Sequence, residues 1–125
     1  MIRGIGVDMV TVERMAGMIE RHGDRLAQRI LAPAELAEYA AVQDKARFLA
    51  KRFAAKEAVA KALGTGLRAP VSMERITVTH DDQGRPGIAF ANELTDWLAE
   101  RRFGVFHLSI SDERDHAVAF AVAEE

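Results

Sequence analysis

Three charged side chains have the types and spacing for chemistry. Asp8 interrupts an apolar run formed by Ile5, Val7, Met9 and Val10, where a buried, unpaired carboxylate would cost on the order of several kcal/mol. Glu57 and Lys61 lie four residues apart in the segment 45–63, which places them one turn apart on a helix. Each has an ordinary explanation too. An Asp at a strand end caps or turns the chain, and Glu before Lys at i,i+4 is a favoured surface pair worth ~0.2–0.5 kcal/mol. If Asp8 and Glu57 converge, however, two carboxylates without Cys or His describe a hard-cation site. Mg²⁺ takes one or two protein carboxylates and completes its octahedron with water and phosphate oxygens. Lys61 and the backbone amides of Gly64, Thr65 and Gly66 would then be placed to meet phosphate. This Gly-Thr-Gly follows a helix, where Gly is ordinarily a C-cap, whereas a P-loop precedes one. Ala46, Ala50 and Ala54 beside Glu57 predict a trough in which something bulky could lie.

A second constellation is Arg14, Met18, Arg21 and Arg25, at i, i+4, i+7 and i+11. They share one stripe if the first helix persists past Gly23. The stripe is either a solvated basic face or a docking surface for an acidic helix, with arginine forks for orientation and Met18 for adaptable contact. Among the histidines, His107 is placed like a site residue, on the strand face it shares with Ser109.

These residues need elements to hold them. Ile2–Val10 reads as a strand in which Gly4 and Gly6 permit close backbone approach. Thr11 is placed to cap a helix that stops at His22–Gly23, and Asp24–Leu31 forms a short helical piece. Pro33 opens another helix ending near Val42. Asp44 caps the strongest helix, Lys45–Leu63, and Gly64 terminates it. On that helix Leu49, Phe53, Lys56, Val59, Ala60 and Leu63 make the core side. Ile76–Thr79 and Gly87–Ala91 suggest a hairpin around 81–84, and Asn92 caps a helix to about Arg102. Val105–Ser111 and His116–Ala123 form a closing hairpin, with Phe106, Leu108 and Ile110 on one face and Val105, His107 and Ser109 on the other. The sum is an α+β fold, an antiparallel sheet packed with helices.

Length and composition bound the rest. The 125 residues suit one domain, 1–125, and 49% apolar content with 29% charged excludes a disordered chain. The absence of Cys removes disulfides, thiolate metal sites and a cysteine nucleophile. No run approaches a membrane span and the start does not read as a signal peptide, so a cytoplasmic protein is expected. The net charge of −2 hides an asymmetry: residues 1–66 carry eleven basic and eight acidic groups, and residues 67–125 six and eleven. That does not suit nucleic acid but suits an acidic partner or a phosphate-bearing ligand. Arg outnumbers Lys thirteen to four, a bias that serves anion recognition and that GC-rich coding would also produce.

Together these residues resemble a known family. Gly6-Val7-Asp8-Met9-Val10 is similar to the opening of holo-[acyl-carrier-protein] synthases, and the fifteen consecutive positions Arg52–Gly66 look like their central signature. Phe106-His107-Leu108-Ser109-Ile110-Ser111-Asp112 followed by Ala117-Val118-Ala119 resembles their closing hairpin. The resemblance covers essentially the whole chain. It implies a 4′-phosphopantetheinyl transferase that moves the phosphopantetheine arm of coenzyme A onto a serine of apo acyl carrier protein for fatty acid biosynthesis, releasing adenosine 3′,5′-bisphosphate. By the same resemblance Asp8 and Glu57 hold Mg²⁺, Glu57 is the candidate proton acceptor, and Lys61 stabilises the leaving phosphate. Arg52, His107, Ser109, Gly64, Thr65, Gly66 and Pro86 are implied to contact the nucleotide end of coenzyme A, with Lys45 a looser candidate for the 3′-phosphate. Arg14, Met18, Arg21 and Arg25 are implied to meet the acidic carrier protein, and the assembly to be a homotrimer with sites between subunits. Two other readings of the same residues are a Mg²⁺-dependent pyrophosphohydrolase and a non-catalytic module binding acidic helical proteins.

Overall fold

In the computed structural model, which describes every residue from Met1 to Glu125, the first strand organises the rest. Strand β1 (Ile2–Thr11) runs antiparallel to β5 (His116–Glu124), and β5 antiparallel to β4 (Val105–Asp112), in the order β1–β5–β4. A separate antiparallel pair joins β2 (Ile76–His80) to β3 (Pro86–Phe90). The class is α+β as expected, but the strands form two sheets rather than one. Helices α1 (Val12–His22), α2 (Asp24–Ile30), α3 (Pro33–Ala41) and α4 (Lys45–Leu63) follow β1, and α5 (Thr95–Glu100) precedes β4.

Strand alternation puts Gly4, Gly6, Asp8 and Val10 on one face of β1, and Ile5, Val7 and Met9 on the other. The inner face packs along α4 at backbone distance. A Cβ at Gly4 would stand 1.8 Å from the Ala62 carbonyl oxygen, and one at Gly6 2.0 Å from that of Ala58. Only hydrogen fits there. On β5 the inward positions Ala117, Ala119, Ala121 and Ala123 are all buried, as are Ala50 and Ala54 of α4. The alanines next to Glu57 are therefore a close helix–sheet contact, and the trough expected from them is filled by protein.

Helix ends follow their capping residues. The Thr11 hydroxyl accepts the Arg14 N–H at 3.1 Å, and Asp44 accepts the Arg47 N–H at 3.1 Å. Gly64 ends α4 in the left-handed region, φ 82°. Gly23, at φ 60°, ends α1, and the chain restarts as α2. The helix expected from Asn92 to Arg102 is shorter: a 3₁₀ turn, Asn92–Leu94, leads into α5. It stops because Arg102 takes φ 65° and the Phe103 N–H returns to the Leu98 carbonyl. No helix is long and apolar enough to cross a membrane.

The outer face of the three-stranded sheet stays open. Ile5, Val7 and Met9 are 61%, 54% and 64% exposed, and Phe120 and Val105 beside them are also exposed.

Candidate active site

Because Gly4 and Gly6 seat β1 on α4, the next inward residue, Asp8, arrives at the Lys61 side chain. The Lys61 ammonium donates to Asp8 Oδ1 at 3.2 Å and to the Val7 carbonyl at 2.9 Å, while remaining half exposed. Glu57, one turn back, is half-buried and its carboxyl is pushed above the ordinary carboxylate value. Burial is the main cause and the Asp8 charge adds to it, while Lys61 and Arg14 pull the other way. The Asp8 carboxylate is thus close enough for its charge to act on Glu57. Glu57 opens onto a cleft of about 600 Å³ whose walls include Phe53, Leu26, Arg29, Ile30, Ser72 and Met73.

A second cavity, about 520 Å³, also borders α2. Met18, Arg21 and Arg25 line it together with His22, Gln28 and Arg29. The helix does not persist past Gly23, so Arg25 joins Met18 and Arg21 from α2 rather than along one stripe. Arg14 does not line this cavity. Its guanidinium lies over the Phe53 ring, 5.8 Å from the centroid, on the Glu57 side. Leu26 and Arg29 line both cavities, so α2 is a wall common to the two.

Comparison with known proteins decides what this arrangement belongs to. The 4′-phosphopantetheinyl transferase superfamily matches residues 4–121. The chain belongs to that family. A holo-[acyl-carrier-protein] synthase of Laribacter hongkongensis is 56% identical over 124 residues, covering 99% of both chains. Among solved structures, the holo-[acyl-carrier-protein] synthase of Neisseria meningitidis superposes with a TM-score of 0.97 at 45% identity over the full length of both chains. That of Bacillus anthracis, solved in complex with CoA (3′,5′-ADP), superposes at 0.84 with 35% identity, covering 100% of this chain and 98% of the other.

Within this transferase-family chain the residues implied for the nucleotide are scattered. His107 and Ser109 sit on the outer face of the sheet, opposite α4, and the His107 ring meets the Glu124 carboxylate at 2.6 Å. Pro86 begins β3, paired with His80. The amides of Gly64 and Gly66 return to the carbonyls of Lys61 and Ala60, so the helix end occupies two of the three donors expected to face phosphate. The Thr65 hydroxyl donates to the Gly66 carbonyl. The Lys45 amine caps α3, donating to the carbonyls of Tyr39 at 2.8 Å and Val42 at 2.9 Å. Arg52 is buried, with its guanidinium 3.2 Å from both Glu35 and Glu38 and stacked over Phe48.

Arg52 also borders a third cleft, about 250 Å³, with Arg47, Phe48, Lys51 and His80. Arg47 and Lys51 were not singled out from the sequence, although their spacing beside Arg52 on α4 was a usable signal. The larger omission is Glu35. It is fully buried and accepts hydrogen bonds from Lys56, Arg52, the Ala32 N–H and the Val78 N–H. Lys56, also fully buried, donates to Glu35 and to the carbonyls of Ile30 at 2.7 Å and Met73 at 3.0 Å. Burial pushes its amine below the ordinary lysine value, and Glu35 offsets part of that.

Proposed function

We propose that this protein transfers the 4′-phosphopantetheine arm of coenzyme A to a serine hydroxyl of an apo acyl carrier protein and releases adenosine 3′,5′-bisphosphate. The observation that carries the reading is that Glu57, within the field of the Asp8–Lys61 pair, opens onto a cleft that shares a wall, α2, with a basic groove. The serine oxygen attacks the phosphorus esterified to pantetheine, and the bond from that phosphorus to the nucleotide phosphate oxygen breaks. Glu57, held above ordinary carboxylate basicity, takes the serine proton. The Lys61 ammonium, half exposed and one turn away, offers positive charge to the leaving phosphate.

The donor set fits Mg²⁺. Asp8 and Glu57 are hard oxygen donors, and their repulsion, which raises Glu57, is the kind a divalent cation relieves. No group of three or more His, Asp or Glu side chains is placed to hold a metal ion, so water and the diphosphate of coenzyme A would complete the coordination. When bound, the ion neutralises charge that grows on the diphosphate as its bridging bond breaks.

Met18, Arg21 and Arg25, with Arg29 and His22 beside them, present cationic forks and one soft apolar contact to an acidic helical carrier. Arg14, facing Glu57, would meet the carrier where its serine enters. The exposed apolar face of Ile5, Val7, Met9 and Phe120 supports self-association, for which we assign a homotrimer on family resemblance. His107, Ser109 and Pro86 would then serve the nucleotide from a neighbouring copy. Arg52 and the cleft it borders would supply cationic groups for the nucleotide phosphates, with Lys45 at the start of the same helix and Gly64, Thr65 and Gly66 beyond its other end.

Mass spectrometry of apo carrier protein incubated with this protein, coenzyme A and Mg²⁺ tests the reading. A mass gain of one phosphopantetheine is expected; no gain, or hydrolysis of coenzyme A without transfer, overturns it. Arg21→Glu with Arg25→Glu is expected to raise KM for the carrier by about tenfold, ~1.4 kcal/mol, at unchanged coenzyme A KM. A rise in coenzyme A KM instead would move the groove to the cofactor.

A further inference from the structure

Helix α2 is a wall of both cavities, so its position relative to α4 sets the distance from a partner in the basic groove to the Glu57 carboxylate. Leu26, Ala27 and Ile30 bury its inner side in the core, which fixes no single register. One polar group adds a directed tie to α4. The Lys56 ammonium, next in sequence to Glu57, donates to the carbonyl of Ile30 at the last residue of α2. A cation suits that helix end. The same ammonium donates to the carbonyl of Met73, which starts the 3₁₀ turn Met73–Arg75 on the facing wall of the Glu57 cleft. Its third proton goes to Glu35, which is itself saturated by Arg52 and by the Ala32 and Val78 amides. The lysine and Glu35 are wholly inaccessible and no buried side-chain polar atom lacks a partner.

On the transfer reading above, we propose that Lys56 is a positioning residue: it clamps both walls of the cleft, Ile30 and Met73, to the helix that carries Glu57, and so fixes the path from carrier groove to proton acceptor. Lys56 touches no reacting atom. Its loss frees two carbonyls that then need water or movement, and misplacement of about 1 Å at a reacting centre can lower turnover on the order of 10²-fold. The groove's arginines and the Asp8–Glu57 pair are untouched, so the defect falls on kcat, with KM for carrier and coenzyme A nearly unchanged.

The sequence contains no cysteine, so Lys56→Cys creates a single thiol. Alkylated in denaturant with 2-bromoethylamine and refolded, it regains an ammonium at lysine's reach; alkylated with iodopropane, it gains a neutral chain of the same length. Wild-type protein taken through the same steps is the control, and its addition of phosphopantetheine to apo carrier protein checks the underlying reading separately. If that control transfers nothing, the transfer reading fails first. With an active control, the propylated protein is expected to fold and to lose on the order of 10²-fold in kcat with both KM values within about twofold, and aminoethylation to restore turnover. A folded propylated form with wild-type kcat, or one whose defect lies in KM, overturns the clamp. Should the propylated chain not fold, Lys56→Met with Glu35→Gln removes both charges of the buried pair while leaving an amide oxygen to accept from Arg52 and the backbone amides. That double variant must show the same kcat loss; wild-type turnover, or failure of it too to fold, assigns Lys56 to stability alone and overturns the positioning role.

Discussion

Two charged clusters on α4, one turn apart, are built on opposite terms. Around Lys56 every polar atom is satisfied: three acceptors on the ammonium, four donors on Glu35, and none of the lysine exposed. Around Lys61 the same residue types are left open. Its ammonium is half exposed, and Glu57 stands near Asp8 with repulsion only partly compensated. A saturated network holds a single arrangement, because any displacement strands a buried charge. An unsaturated one keeps charge available for a ligand. On the proposed reading, the helix carries a clamp and a working site side by side.

The contrast is broken most directly from the open side. Glu57→Gln is expected to lower phosphopantetheine transfer by about 10²–10⁴-fold while circular dichroism and melting show an intact fold. Near wild-type turnover in that variant would remove Glu57 from the site. On the closed side, Glu35→Ala leaves Lys56 a buried cation without its carboxylate and Arg52 with Glu38 alone, and is expected to cost about 3–5 kcal/mol in urea unfolding. A loss under 1 kcal/mol would mean that the network is not the clamp described. Lys61→Met tests the same difference at a smaller scale. It breaks an exposed pair, so stability should change by no more than about 1 kcal/mol, while transfer falls. A large stability loss there would erase the distinction between the two clusters.

How much of this was legible in the sequence follows the same division. Asp8, Glu57 and Lys61 could be read because each sits conspicuously, in an apolar strand or at helical spacing, and because Gly4 and Gly6 announce a close approach. Glu35 could not, since an acid two residues after Pro33 reads as an ordinary first-turn residue, and its partner lies 21 positions away. The alanines were legible in type but not in use. Small residues at Ala46, Ala50 and Ala54 fit an open trough or a tight contact equally. The alternating Ala117, Ala119, Ala121 and Ala123 of β5, a matching stripe of small residues, would have favoured the contact. The basic groove was half read: Arg21 and Arg25 are there, but the turn at Gly23 brings in Arg29 and His22, which no single-helix projection could align.

The smallest effect gives the finest test of the open cluster, because it concerns stability rather than rate. Glu57 has its carboxyl raised above 4.5 in the folded protein, first by burial and then by Asp8. A group raised on folding binds its proton more tightly in the native state. Its stabilising contribution is therefore full below the unfolded value and is lost as pH rises through the folded one. As pH rises above the carboxylate range in metal-free buffer, ionisation of Glu57 becomes a native-state cost that Glu57→Gln removes, so the variant should melt higher than wild type at pH 7. The advantage should vanish as pH falls below 4.5, where both side chains are neutral. Added Mg²⁺ should reverse the order at pH 7, because a cation held between Asp8 and Glu57 stabilises only the chain that keeps both carboxylates. A variant that melts lower than wild type at pH 7 in metal-free buffer would show that Glu57 is not repelled but held, and that the second cluster is as closed as the first.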